Sequence, residues 1–163
     1  ASVPVVMVSA NFYGGCTCES GLPIHKNAEH ETNNVEIAAS IAPKPLLIIS
    51  NGEDWTKNVP QVEFPHMQRI YDLTGAKENV ENAHFADEGH DYGPSKRAAT
   101  YRFLAKHFEL DLSRIQNGDG EIDESVLTVH DRGDLLVFPP DRPRPDYAIT
   151  DGDLVIAELD RRE

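Results

Sequence analysis

Positive charge is what this chain has little of. Its 163 residues carry 15 Lys and Arg against 28 Asp and Glu, a formal net charge of −13 with a pI near 4.8. Nucleic-acid binding and adhesion to an anionic membrane both need clustered Lys and Arg, so neither fits as a function. Cysteine is scarce too. Cys16 and Cys18 stand one residue apart, where a bridge would close a very small, strained ring, so no disulfide framework is expected. No run of about 18 apolar residues occurs, which excludes a membrane-spanning helix. The opening Ala1-Ser2-Val3-Pro4 has neither a Met nor a basic stretch ahead of an apolar one, so it is not a signal peptide. It leads at once into an apolar run, and we expect the amino-terminal part of a larger protein to lie before it.

What is present is ordinary globular composition, with 39% hydrophobic and 26% charged residues, in a chain long enough to bury a core. Val3 to Ser9 is a continuous β-rich run of the kind found in parallel sheets covered on both faces. Asn11 to Asn34 has neither helical nor alternating period, and a loop this long is usually functional or mobile. Asn33 to Ile41 reads as a short helix capped by Asn33 or Asn34 and stopped by Pro43. The strand Pro45 to Ser50 follows, then a helix over Val62 to Thr74 with an apolar stripe of Val62, Met67, Ile70, Tyr71 and Leu73, closed by Gly75. Asn79 to Phe85 is a weaker strand. Pro94 and Ser95 open a helix to Phe108, with Ala98, Tyr101, Leu104 and Phe108 on its apolar face and Lys96, Arg97, Arg102 and Lys106 elsewhere.

Strand and helix alternating with short connections predicts an α/β layered domain with a parallel sheet over residues 1–110. The texture changes at Asp111. Leu127 to His130, Leu135 to Phe138 and Leu154 to Leu159 are short β-like runs split by Arg132-Gly133-Asp134 and a proline-rich stretch. They predict a β-rich extension, residues 111–163, packed on the main layer.

The chemistry concentrates between Pro45 and Gly93. Asp54 follows the end of one predicted strand, and His90 sits in the glycine-flanked Glu88-Gly89-His90-Asp91 after the next. Parallel α/β sheets build their sites at the carboxyl ends of strands. A carboxylate and a histidine there can act as orienting acid and general base, though the spacing equally suits a surface turn and an unrelated loop. Cys16, Cys18, His25 and His30 would make a tetrahedral metal set, but the paired cysteines lack the two-to-four-residue gap of structural zinc, so no metal is assigned. Neither cysteine has a cationic neighbour or a helix start that would make it a reactive thiol. Asn117 to Glu124 imitates an EF-hand loop, yet Ile115 and Val126 fall where carboxylate ligands belong, leaving a polar turn. Trp55 either lines a substrate pocket or covers the end of the sheet.

Two segments carry a resemblance. Pro43-Lys44-Pro45-Leu46-Leu47-Ile48-Ile49-Ser50-Asn51-Gly52-Glu53-Asp54 resembles the strand-and-acid segment of α/β-hydrolases, and Gly89-His90-Asp91-Tyr92 their histidine loop. The branch it is similar to is the acetyl xylan esterase and dienelactone hydrolase-like group, which also carries a segment like Gly14-Gly15-Cys16-Thr17-Cys18-Glu19. The resemblance spans roughly Val3 to Leu110. It implies the carboxyl-terminal half of an α/β-hydrolase, with His90 as general base and Asp54 as its acid, Glu53 being the competing acid. Trp55, Cys16, Cys18 and Glu19 become substrate-pocket candidates. It implies no metal or organic cofactor and a small-molecule or carbohydrate ester as substrate.

The family's Gly-x-Ser-x-Gly elbow has no counterpart here, since Ser2 and Ser9 lack flanking glycines. The nucleophile is therefore expected upstream of this chain or on another chain, with a partner chain or a homo-oligomer covering the sheet edge. A non-catalytic binding module with a degenerate hydrolase fold is the alternative.

Overall fold

The computed structural model describes residues 1–11, 29 and 31–162. Its organising element is strand β1, Leu46–Asn51, in which all six residues are buried. Two leucines and two isoleucines in an unbroken run have no polar face to offer water, so both faces must be covered. Parallel strand β2, Val80–Phe85, pairs along one edge in a register running from Leu46 opposite Val80 to Asn51 opposite Phe85.

The other edge of β1 carries the amino-terminal segment, also parallel. Ser2 N–H donates to Pro45 O (3.0 Å), Leu47 N–H to Ser2 O (3.0 Å), Ile49 N–H to Pro4 O (3.1 Å) and Val6 N–H to Ile49 O (2.9 Å). The expected strand Val3 to Ser9 thus pairs only as far as Val6. There φ reaches +48°, a left-handed value that a β-branched residue seldom adopts, and the chain leaves the ladder.

Alternation along β1 sorts the core into two layers. Leu46 and Ile48 face a layer built with Val35 and Ala39 of α1 (Asn34–Ala39) and Met67 and Tyr71 of α2 (Glu63–Leu73). Leu47 and Ile49 face Phe103, Ala99 and Leu104 of α3 (Pro94–Phe108). The caps follow local chemistry. Asn33 Oδ1 accepts the N–H groups of Val35 (2.9 Å) and Glu36 (3.2 Å), Gly75 at φ +68° ends α2, and Pro94 opens α3.

Two stripes differ from expectation. In α2 the buried residues are Glu63, Met67 and Tyr71, while Val62 and Leu73 are exposed, the latter by 87%. Neither lies on the face that Glu63, Met67 and Tyr71 share at i, i+4, i+8 spacing, so neither reaches the core layer. In α3 the buried residues are Lys96, Thr100 and Phe103. Phe108 is exposed, and the inward stripe begins with a lysine that reads in the sequence as a surface charge.

The chain divides into two units, Ala1–Asp123 and Glu124–Glu163. At the end of the first, Asn117 Oδ1 accepts from Asp119 N–H (3.0 Å) and Glu121 N–H (2.9 Å), with Gly120 at φ +79°, so the calcium-loop lookalike is a self-bonded turn. The second unit is not β-rich. Its described residues form short 3₁₀ turns at Glu124–Val126 and Arg132–Leu135 and one helix, α4, over Gly152–Asp160. Leu154 to Leu159, expected as a strand, lies inside α4, because Asp151 caps the N–H groups of Asp153 (3.0 Å) and Leu154 (3.1 Å) and starts a helix there. A short apolar run has no periodicity to distinguish the two outcomes, so the cap decides.

Two-layer burial around β1 has a direct consequence. Ile48→Ala is expected to lower unfolding free energy by about 2–5 kcal/mol through lost contact and a residual cavity. Leu73→Ala is expected to change it by less than about 0.5 kcal/mol. Urea denaturation followed by the emission of Trp55, the sole tryptophan, measures both.

Candidate active site

Two loops leave the carboxyl ends of β1 and β2 and are bonded to each other. Gly52 N–H donates to Phe85 O (2.9 Å) and Glu53 N–H to Glu88 O (3.1 Å). The approach is so close that a Cβ on Gly52 would lie 1.8 Å from Ala86 O, so only glycine fits. The residue types at this crossing, Asn51-Gly52, thus let two backbones touch and bring Asp54 beside the histidine loop.

The Asp54 carboxylate is 3% exposed and its two oxygens have different surroundings. Oδ1 accepts from Thr56 N–H (2.6 Å) and from the Thr56 hydroxyl (2.5 Å), whose oxygen in turn accepts Asn51 N–H (2.9 Å). This is an aspartate turn closed on its own backbone. Oδ2 is buried without a hydrogen-bond partner and lies 3.6 Å from His90 Nδ1. That separation is an ion-pair distance slightly beyond hydrogen-bond range, and catalytic contacts often tighten only once substrate is bound. The His90 side chain is 47% exposed, so one edge of the imidazole meets the acid while part of the ring stays open to solvent. Trp55 stacks on it at 4.4 Å between ring centroids, tilted by 42°, and its indole N–H donates to Val6 O (3.1 Å). The strained turn at Val6 is thereby joined to the site.

Around His90 the loop is held by charge. Lys96 is 0% exposed, and its Nζ lies 2.6 Å from Glu88 Oε2 and 2.6 Å from Asp91 Oδ1. Glu88 Oε2 also accepts the Ser95 hydroxyl (2.7 Å), Asp91 Oδ1 accepts Gly93 N–H (2.7 Å), and Asn51 Nδ2 donates to Gly89 O. Hydrogen bonds from Lys96 and then Ser95 hold the Glu88 carboxyl below its usual range, and those from Lys96 and Gly93 do the same for Asp91. Burial pulls the Lys96 ammonium down, but Asp91 and Glu88 together outweigh it and the net direction is up.

The structure brings together Asp54, His90 and Trp55 among the residues singled out in the sequence. Glu53, the competing acid, is exposed and meets the histidine loop only through its backbone. Cys16, Cys18, Glu19, His25 and His30 lie outside the described residues. Among the described residues no group of three or more His, Cys, Asp and Glu converges as a metal site, and no hydroxyl hydrogen-bonds the His90 ring. A second Ser–His contact does exist, between Ser50 Oγ and His84 Nδ1 (2.8 Å), but Ser50 is fully buried and its oxygen also accepts Asn82 Nδ2 (3.0 Å). It is a cross-strand polar pair within the sheet. Sequence reasoning missed Lys96 and Thr56. The Asp-x-Thr spacing signals the turn that Thr56 makes, whereas nothing local marks Lys96 as buried.

A parallel sheet with helices on both faces, and an acid and a histidine in the loops after adjacent strands, is part of an esterase-like hydrolase fold. Among solved structures the chain is similar to methylesterase BT1017, with 43% identity and a TM-score of 0.81 over 98% of this chain. It covers 34% of that protein, so the chain spans about a third of its length. No family model and no curated protein matches the chain.

The charge clamp gives a pH dependence of definite sign. Glu88 and Asp91 have folded pKa values below their unfolded ones, so their contribution is complete above the ordinary carboxylate values near about 4 and disappears as pH falls through the lowered ones. The gap in urea midpoint between the wild type and a Glu88→Gln/Asp91→Asn variant is expected to stay constant above about pH 5 and to close below about pH 4. Trp55 emission at a series of pH values measures it.

Proposed function

We propose that this chain contributes the acid and the histidine of a serine-type carboxylic ester hydrolase. The observation that carries this reading is the division of labour on Asp54: Oδ1 saturated by Thr56, Oδ2 buried, unpartnered and facing His90 Nδ1 at 3.6 Å. A carboxylate so arranged holds the Nδ1–H tautomer and stabilises the imidazolium without taking the proton itself. The nucleophilic hydroxyl comes from polypeptide upstream of this chain or from another chain, which fits a chain that spans about a third of its methylesterase neighbour.

In the mechanism His90 Nε2 takes the hydroxyl proton as that oxygen attacks the ester carbonyl carbon. The proton passes to the leaving alkoxide, which departs as the alcohol. Water then attacks the acyl-enzyme, His90 again accepting its proton, and the carboxylic acid is released with the hydroxyl restored. Trp55, stacked on His90, forms a wall of the substrate pocket. The resemblance to acetyl xylan esterases points to a small acyl group on a carbohydrate. The methylesterase neighbour points instead to a small alcohol, and release of acetate or of methanol from matched esters separates the two.

The protein that carries this chain, purified natively with any accompanying polypeptide, is the material to test. Asp54→Asn is expected to lower kcat by about 10⁴-fold, and His90→Ala by about 10⁶-fold, with a smaller change in KM. Fluorophosphonate is expected to label a serine outside the 163 residues described by this sequence. Absence of label anywhere, with no ester turnover in the wild type, would instead favour a non-catalytic binding module, a reading that draws on the lack of a hydroxyl bonded to His90 among the described residues.

A further inference from the structure

A cation in the first turn of a helix, with no exposure to water, is an arrangement that needs a reason. Lys96 is the third residue of α3, where the helix dipole disfavours positive charge, and burying an ammonium costs several kcal/mol unless it is paired. Its two partners, Glu88 and Asp91, bracket His90 in sequence, and each is only 2.6 Å from Nζ. The Phe85 ring, 5.7 Å from Nζ, closes one side of the charge. The segment being held has no regular secondary structure and contains Gly89 and Gly93, so its intrinsic backbone freedom is high. Two further ties, Asn51 Nδ2 to Gly89 O and Glu53 N–H to Glu88 O, bind the same segment to the loop that carries Asp54. From the helix side come the Lys96 bridges together with the Ser95 hydroxyl on Glu88 Oε2 (2.7 Å) and Arg97 Nη1 on Tyr92 O (2.6 Å), and Lys96 is the one that meets carboxylates on both sides of His90, so together the bonds grip the backbone around it from both sides.

We infer that Lys96 is a positioning residue for the reaction: through Glu88 and Asp91 it sets His90 against Asp54 and Trp55, without itself touching substrate. The alternative is that Lys96 contributes to stability and nothing else. Geometry favours positioning, because both partner carboxylates lie within two residues of His90 and none of its ion pairs goes to the sheet or to α2. Displacing a catalytic group by about 1 Å is enough to lower a rate 10²-fold, whereas ground-state binding at the remaining pocket surfaces is untouched. The inference rests on the acid and histidine roles proposed above.

The test uses the same native protein. Lys96→Met keeps the buried stem and removes the charge. It is expected to lower kcat by about 10²-fold while KM changes by less than about threefold, to raise amide exchange at residues 88–92, and to shift Trp55 emission in the direction produced by His90→Ala. Glu88→Gln/Asp91→Asn, which leaves Lys96 in place, is expected to do the same and carries the test if the methionine variant does not fold. Ile48→Ala is the control for lost stability, expected to leave kcat unchanged at temperatures where it is folded. Wild-type kcat and unchanged exchange at 88–92 in folded Lys96→Met or in the double variant would overturn the inference. If Asp54→Asn and His90→Ala leave turnover intact, the catalytic reading fails instead, and the exchange and emission arms still report whether Lys96 sets His90.

Discussion

Hydrogen bonding along both edges of β1 is the constraint on which the rest of the α/β unit depends. The strand is paired parallel to β2 on one side and to the amino-terminal segment on the other, and it is covered by α1 and α2 on one face and α3 on the other. A strand with no free edge and no wet face cannot shift its register without exposing every side chain on the wrong layer. Parallel pairing also sends the loops after β1 and β2 out at the same end of the sheet. The site is therefore a consequence of strand direction, and the contact of Gly52 with Ala86 turns two neighbouring loops into one rigid rim.

On that rim polar groups are sorted by how completely they are satisfied. Thr56 uses one oxygen of Asp54 and leaves the other without a partner, and buried polar atoms without partners are uncommon because each carries a desolvation cost. The same logic applies to Lys96, whose burial is tolerable only because two carboxylates meet it. Ser50 shows the opposite case. It contacts a histidine, yet its hydroxyl is fully buried and already bonded twice, so nothing is left over for chemistry.

Much of the local structure was legible in the chain. Asn33, Gly75 and Pro94 signal helix ends through chemistry confined to a few neighbouring residues, and the structure uses each of them as the sequence suggests. The apolar run at Leu46 to Ile49 likewise reads as a strand buried on both faces. Errors came where the deciding partner is distant or where two signals compete. Leu73 is apolar but stands off the face that Glu63, Met67 and Tyr71 share, so it stays in water. Lys96 belongs to the inward stripe of α3 because of carboxylates five and eight residues away in a loop with no periodicity. Leu154 to Leu159 was misread as a strand because its composition outweighed the Asp151 cap in front of it.

Taken by itself, the sequence determined the class of fold over its first two thirds and the two loops that follow its strands, because strand ends, caps and glycine-flanked loops are short-range features, while Asp54 and His90 stand out in those loops only through their resemblance to α/β-hydrolases. Only the tertiary structure decided that Asp54 rather than Glu53 faces the imidazole, that Trp55 stacks on it, and that a buried lysine grips the loop on either side of it. Those outcomes depend on the direction in which side chains leave two strands brought together in space, and no spacing along the chain encodes that direction.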